Sequence, residues 1–195
     1  MLVRRLPQPW RSIADWTITI ALAIGFVLAF EAEVAKPYRI PSASMEPTLH
    51  CARPAAACEA HFSDRIIAAK IVYRLRSPER GDIAVFETPP RTAQVCRTER
   101  SATFEKRIVG LPGETITEQR GTISVDGKRL VEPYVSSSLR DDRSGTWTVP
   151  EGSYFMLGDD RKWSCDSRDW GSVPRKNLIG PVVATYWPPT RFTVR

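Results

Sequence analysis

Histidine is nearly missing from this chain: its 195 residues contain only His50 and His61. With so few imidazoles, no His-rich spacing or CxxC pair that would indicate zinc is present. A Ser-His-Asp triad is also poorly served. His50 stands in a proline-containing turn, and no acid is marked to orient it. The sequence likewise lacks internal repeats and any finger, helix-turn-helix or RNA-recognition signature. The 28 basic against 22 acidic residues give a net charge of +6, but the two signs interleave, as in "RTERSATFEKR". A solvated surface explains this charge, so nucleic acid is not expected as a partner.

Long apolar runs are also scarce. The one present is "WTITIALAIGFVLAF", Trp16 to Phe30. With its mildly polar flanks it reaches the roughly 20 residues that a membrane-spanning helix needs. Arg4, Arg5 and Arg11 precede it and Glu31 and Glu33 follow, which places the N-terminus in the cytoplasm and the remainder outside. Two alternatives are a buried helix of a soluble protein and a cleavable signal peptide. The second needs small residues at −1 and −3 of its cut, but a cut after Ala32 leaves Phe30 at −3, and one after Ala35 leaves Glu33. The expected organisation is a cytoplasmic N-terminus over 1–11, a transmembrane anchor over 12–34 and an extracytoplasmic domain over 35–195. At this length one folded unit is expected.

Cysteine is used four times, at positions 51, 58, 96 and 165, all on the external side, where disulfides persist. Four cysteines allow three pairings, and the sequence does not choose among them. Local closure of Cys51 to Cys58, with Cys96 to Cys165, is the pairing expected.

Beyond the apolar run the chain reads as strands and turns. Segments 64–75, 81–87, 105–111, 121–131, 145–150, 153–159 and 178–188 are rich in β-branched and aromatic residues and are bounded by Gly, Pro or Asp. Asp126-Gly127 between "TISV" and "KRLV" signals a hairpin. A mainly β, antiparallel domain with long loops is expected, with 53–57 and 136–145 as mobile loops.

Chemistry concentrates in two places. Ser44 lies 14 residues past the apolar run, within reach of the membrane face. A serine nucleophile needs a base, and with histidine scarce a buried lysine is the substitute, because desolvation disfavours its charged form. Strand alternation in "ATFEKRIVGLPGE" puts Lys106 between Phe104 and Ile108 on one face and points Glu105 to the other.

These residues belong to ordered stretches: "PSASMEPTL" (41–49), "RGDIAVF" (80–86), "KRIVGLPGE" (106–114) and "GDDRKWSCDSRDWGSVP" (158–174). In that order, behind an N-terminal anchor, they resemble the bacterial type I signal peptidases. The resemblance implies a membrane-bound serine endopeptidase that removes signal peptides from exported preproteins. Ser44 would be its nucleophile, Lys106 its general base, and Ser42 with the Ser44 N–H its oxyanion hole. It further implies Ser164 as the residue orienting the lysine, and Arg107, Asp159, Asp166 and Arg168 as structural supports. Tyr38, Ile40, Pro41, Met45, Leu49, Val85 and Phe104 would wall shallow pockets for small residues at −1 and −3. No metal or organic cofactor is implied. The implied partners are preproteins, the lipid bilayer and, by proximity, the export channel, with lipid reaching the apolar stretch from Met45 to residues 81–86.

Glu105, where the family commonly has an apolar residue, and Asp160, where it often has Asn, depart from the pattern. The extension over 50–64 has no evident purpose. The alternatives are a conjugation-type processing peptidase with few substrates, and an inactive membrane-tethered binding module on the same scaffold.

Overall fold

A computed structural model of the chain describes residues 8–99 and 102–195. Arg4 and Arg5, on which the expected orientation partly rests, lie outside the described residues.

The apolar run and its flanks form one helix, α1 (Gln8–Glu33), which starts ahead of the expected anchor. Pro9 is tolerated in the first turn, where its missing N–H has no helical partner to lose. Thr17 and Thr19 return their hydroxyls to the carbonyls of Ile13 and Asp15, both at 2.8 Å, so the polar groups inside the run are satisfied within the helix. Trp16, Leu22 and Phe26 are exposed. The segment Ser12–Glu33 is long and apolar enough to cross a membrane, and none of it is buried against the protein.

The rest of the described chain is mostly antiparallel sheet. The larger sheet contains β1 (Ala35–Arg39), β2 (Arg65–Ala69), β3 (Ile83–Glu87) and β4 (Thr103–Gly110). A smaller sheet is built from β5 (Thr115–Gln119), β6 (Thr122–Val125), β7 (Lys128–Arg129) and β8 (Gly145–Thr148). The chain then returns to the larger sheet with β9 (Ser153–Leu157), β10 (Val173–Pro174), β11 (Leu178–Trp187) and β12 (Thr193–Val194). The larger sheet runs β1-β2-β11-β3-β4-β9-β10 with β12 on β11, and the smaller runs β7-β6-β5-β8. Asp126 and Gly127 both have positive φ, 48° and 76°, and they join β6 to β7 as the hairpin signal predicts.

Alternation along β3 divides the core. Ile83 and Val85 join Ile40, Met45, Leu49 and Ile66 on one side, while Ala84 and Phe86 join Tyr73, Ile108, Met156 and Trp170 on the other. A third cluster, with Val109, Ile116, Phe155 and Leu157, seals the smaller sheet against β4 and β9. Met45 and the β3 side chains Ile83 to Phe86 are therefore core, and the expectation that lipid reaches them is corrected.

Two other expectations change. Segment 64–75 is not one strand: it leaves the sheet after Ala69 and makes a helical turn, α2 (Val72–Leu75). The cause is the partner strand, since β11 pairs with β2 only as far as Val182–Ala68 and with β3 from Pro181 backward. The loop over 136–145 is anchored rather than mobile, because Arg140 pairs with Glu132 and Asp141 with Arg168. Two further single turns, α3 (Pro90–Val95) and α4 (Ser167–Trp170), flank the site described next. The disulfides are Cys51–Cys58 and Cys96–Cys165, the expected pairing.

Candidate active site

Ser44 sits in a tight 3-10 turn, Ala43–Met45, all three residues of which are buried. Met45 inserts into the first core cluster, and the Ser44 carbonyl accepts the Asp160 N–H at 3.2 Å. The turn is thus fixed from both ends. Lys106 lies in the middle of β4, opposite Ala84 of β3. Its Nζ is 2.6 Å from Ser44 Oγ and 3.0 Å from the carbonyl oxygen of Glu105. Ser42 Oγ lies 3.3 Å from Ser44 Oγ. Residues separated by 62 positions are therefore joined directly.

Burial pushes the Lys106 amine below its ordinary value, while Glu105, Asp166 and Asp159 pull it upward. Two of these three acids are already committed. Asp159 takes Arg107 Nε at 2.8 Å and a second guanidinium contact at 2.5 Å, and accepts the Thr48 hydroxyl at 2.6 Å. Asp166 takes Arg168 through Nε at 2.8 Å and Nη2 at 2.9 Å, and caps α4. Arg168 also reaches Glu118 and Asp141, and the Arg107 guanidinium stacks on Tyr134. Each pairing mutes the field of its carboxylate at the amine. All four residues expected as supports are engaged in these ion pairs.

Ser164 differs from expectation. Its Oγ is buried and has no hydrogen-bond partner among the described residues; the amine's contacts are Ser44 Oγ and the Glu105 carbonyl. Ser164 instead packs against Gly158. A Cβ at Gly158 would stand 2.3 Å from Ser164 Oγ and 2.4 Å from the Ser44 carbonyl oxygen, so only glycine lets these three segments meet. Gly158 was not anticipated as a site residue. Nor was Arg161, which is fully buried, donates to the Gly158 carbonyl at 2.9 Å and pairs with Glu132. The signal was "GDDR", where a charged run directly follows a strand.

A cavity of about 340 Å³ opens over the Ser44–Lys106 pair. Of the expected pocket residues, Pro41 and Phe104 line it. Ile40, Met45, Leu49 and Val85 are fully buried in the core beneath, with half-buried Tyr38 packed on that cluster. The wall also includes Trp163, the Cys96–Cys165 disulfide and Glu105. Glu105 is buried opposite Val85 of β3, while Lys106 is opposite Ala84; its main-chain carbonyl stands in the cavity wall beside the amine, and burial pushes its carboxyl group up to about 7.

A serine hydroxyl against a buried amine, beside an open cavity, is equipped for nucleophilic acyl transfer. Comparison with known proteins defines the class. Residues 13–187 match the family described as signal peptidase, peptidase S26. A probable signal peptidase I-2 of Synechocystis sp. is 39% identical over 89% of this chain and 72% of its own length. A signal peptidase I of Leptolyngbya laminosa is 39% identical over 89% of this chain and 79% of its own. A crystal structure of a signal peptidase I from Enterococcus faecalis shares 33% identity, covers 55% of this chain and 97% of that one, and gives a TM-score of 0.46. The chain belongs to the signal peptidase family, peptidase S26.

Proposed function

We propose that this chain is a membrane-anchored serine endopeptidase that removes N-terminal signal peptides from exported preproteins, with Ser44 as nucleophile and Lys106 as general base. The observation that carries the reading is the 2.6 Å contact between Ser44 Oγ and the amine of Lys106, a residue only 3% exposed. Family membership and relatives bearing the name signal peptidase I support the substrate class.

In the neutral form Lys106 accepts the Ser44 proton as Oγ attacks the scissile carbonyl. The Ser44 N–H and the Ser42 hydroxyl stabilise the oxyanion, a role in which losing one donor typically costs about 10²–10³ in rate. The amine then passes its proton to the leaving amino group. Water hydrolyses the acyl-enzyme ester after giving a proton to the same amine. The substrate binds extended, its main chain supplying affinity and its small −1 and −3 side chains supplying selectivity. With α1 spanning the membrane and its basic N-terminal flank inside, the site faces outward, where preproteins emerge beside the export channel.

Purified full-length protein is expected to process a preprotein, and Ser44→Ala and Lys106→Ala to reduce that rate by at least about 10³-fold. Equal processing by all three would end this reading. Rescue of a strain depleted of its general signal peptidase distinguishes broad processing from a narrow conjugation-type role.

A further inference from the structure

A second hollow, of about 360 Å³, opens where α1 ends. Its charged lining is Lys70, Arg74 and Arg175, and no acid is among the lining residues. Lys70 donates Nζ to the Ala32 carbonyl at 2.7 Å, in the last turn of α1. Arg175 donates to the Tyr73 carbonyl and lies over that ring, 5.3 Å from its centroid. Ala32 and Tyr73 themselves line the hollow, so these contacts hold two of the cationic groups at its wall. Arg74 pairs with Glu33 at 2.7 Å, but both side chains are more than half exposed, and such a pair is weak enough to exchange.

Like charges brought together repel unless an anion stands among them. The level of the hollow indicates which anion. The apolar segment Ser12–Glu33 ends here, so Ala32 lies where hydrocarbon gives way to headgroups, the layer that holds lipid phosphates. The Ile71 N–H donates to the Val34 carbonyl at 3.2 Å, which ties the loop carrying Lys70 and Arg74 to the end of the helix. The ammonium keeps N–H donors beyond the one given to Ala32, and guanidinium forks match the oxygens of a phosphodiester. Ala32, Leu178 and Ile179 add apolar wall, which serves the glycerol and first methylenes of a lipid and does nothing for free phosphate. A zwitterionic headgroup would bring its own cation into this field, so a lipid of net negative charge is favoured.

We propose that Lys70, Arg74 and Arg175 form a binding site for the phosphate of an anionic phospholipid at the Glu33 end of α1. This goes beyond the function proposed above and rests on one part of it, that α1 lies in a membrane.

The test uses full-length protein in detergent, titrated with phosphatidylglycerol or with phosphatidylcholine of the same acyl chains, the bound lipid being counted by native mass spectrometry. Phosphatidylglycerol is expected to bind at least about tenfold more tightly, since each cation near a headgroup weighs about fivefold. Lys70→Gln/Arg74→Gln is expected to lose most of that difference. Arg175→Gln, which leaves the contacts to α1 intact, is expected to weaken phosphatidylglycerol about fivefold. Lys128→Gln/Arg129→Gln removes the same charge from the exposed strand β7 and is expected to keep the full preference. Inorganic phosphate in large excess is expected not to displace the lipid. Equal binding of the two lipids by the wild type, equal loss in the two double variants, or displacement by inorganic phosphate would overturn the inference. Wild-type protein that keeps the lipid preference but processes no preprotein would end the proposed function alone, and processing without the preference would end only this inference.

Discussion

The proposed role of Lys106 as general base needs a neutral amine, and burial favours that form. Since the amine is lowered from its ordinary value, the neutral fraction, and with it the rate, rises as pH climbs through the shifted value. The rising limb of kcat/KM is therefore expected below the ordinary lysine value of about 10.4. Glu105 pulls the amine upward, so Glu105→Gln is expected to move that limb to lower pH. The same substitution has a stability signature. Glu105 titrates at about 7 in the fold against an ordinary 4.5, so between these values the native state holds the extra proton and stability falls as pH rises. Relative to wild type, Glu105→Gln should gain on the order of 1–3 kcal/mol above pH 7 and nothing below about 4.5, as denaturant melts across that range would show.

At the scale of elements, β4 presents chemistry and support side by side. Lys106 meets the 3-10 turn while Arg107, its neighbour, grips Asp159 and the Gly81 carbonyl. Removing one partner of a buried ion pair leaves an uncompensated charge, here an Asp159 of 0% exposure within range of the amine. Arg107→Met is expected to destabilise by about 3–5 kcal/mol. It should also shift the pH limb upward, because Asp159 would then act on Lys106 unopposed. A variant with wild-type melting and an unmoved limb would contradict this account. Elements were unevenly readable. Strands β3, β4 and β11 declare themselves by β-branched residues, and β9 by its aromatic pair Tyr154-Phe155. By contrast α2 does not, because "IVYRL" is as strand-like as "RIIAA" before it and only the departure of β11 turns it helical.

At the scale of the molecule, the site is a meeting of distant segments held by covalent and ionic ties. The Cys96–Cys165 bridge spans 69 positions and closes the cavity wall beside Ser164, whereas Cys51–Cys58 spans only 7 and closes the extension over 50–64 onto the first core cluster. By chain entropy the long bridge contributes about 4 kcal/mol and the short one about 2–3 kcal/mol. The Cys96→Ser/Cys165→Ser variant is therefore expected to melt lower than Cys51→Ser/Cys58→Ser, and to lose activity as well. Thermal scans with a processing assay check both. The outlying feature is α1, whose segment Ser12–Glu33 is long and apolar enough to cross a membrane and is not buried against the protein.

The sequence by itself determined the kind of elements, the apolar span and the nucleophile–amine pair as candidates, because hydrophobic period, turn chemistry and ordered motifs are local and survive in one dimension. The family resemblance also marked Glu105 as a departure from the pattern. Tertiary structure alone decided that Glu105 is buried, that Ser164 packs on Gly158 and not on the amine, and that Ile40, Met45, Leu49 and Val85 are core under the cavity. Each of these depends on which segments approach across tens of residues, and burial, partner count and local field belong to that approach, not to any stretch of chain.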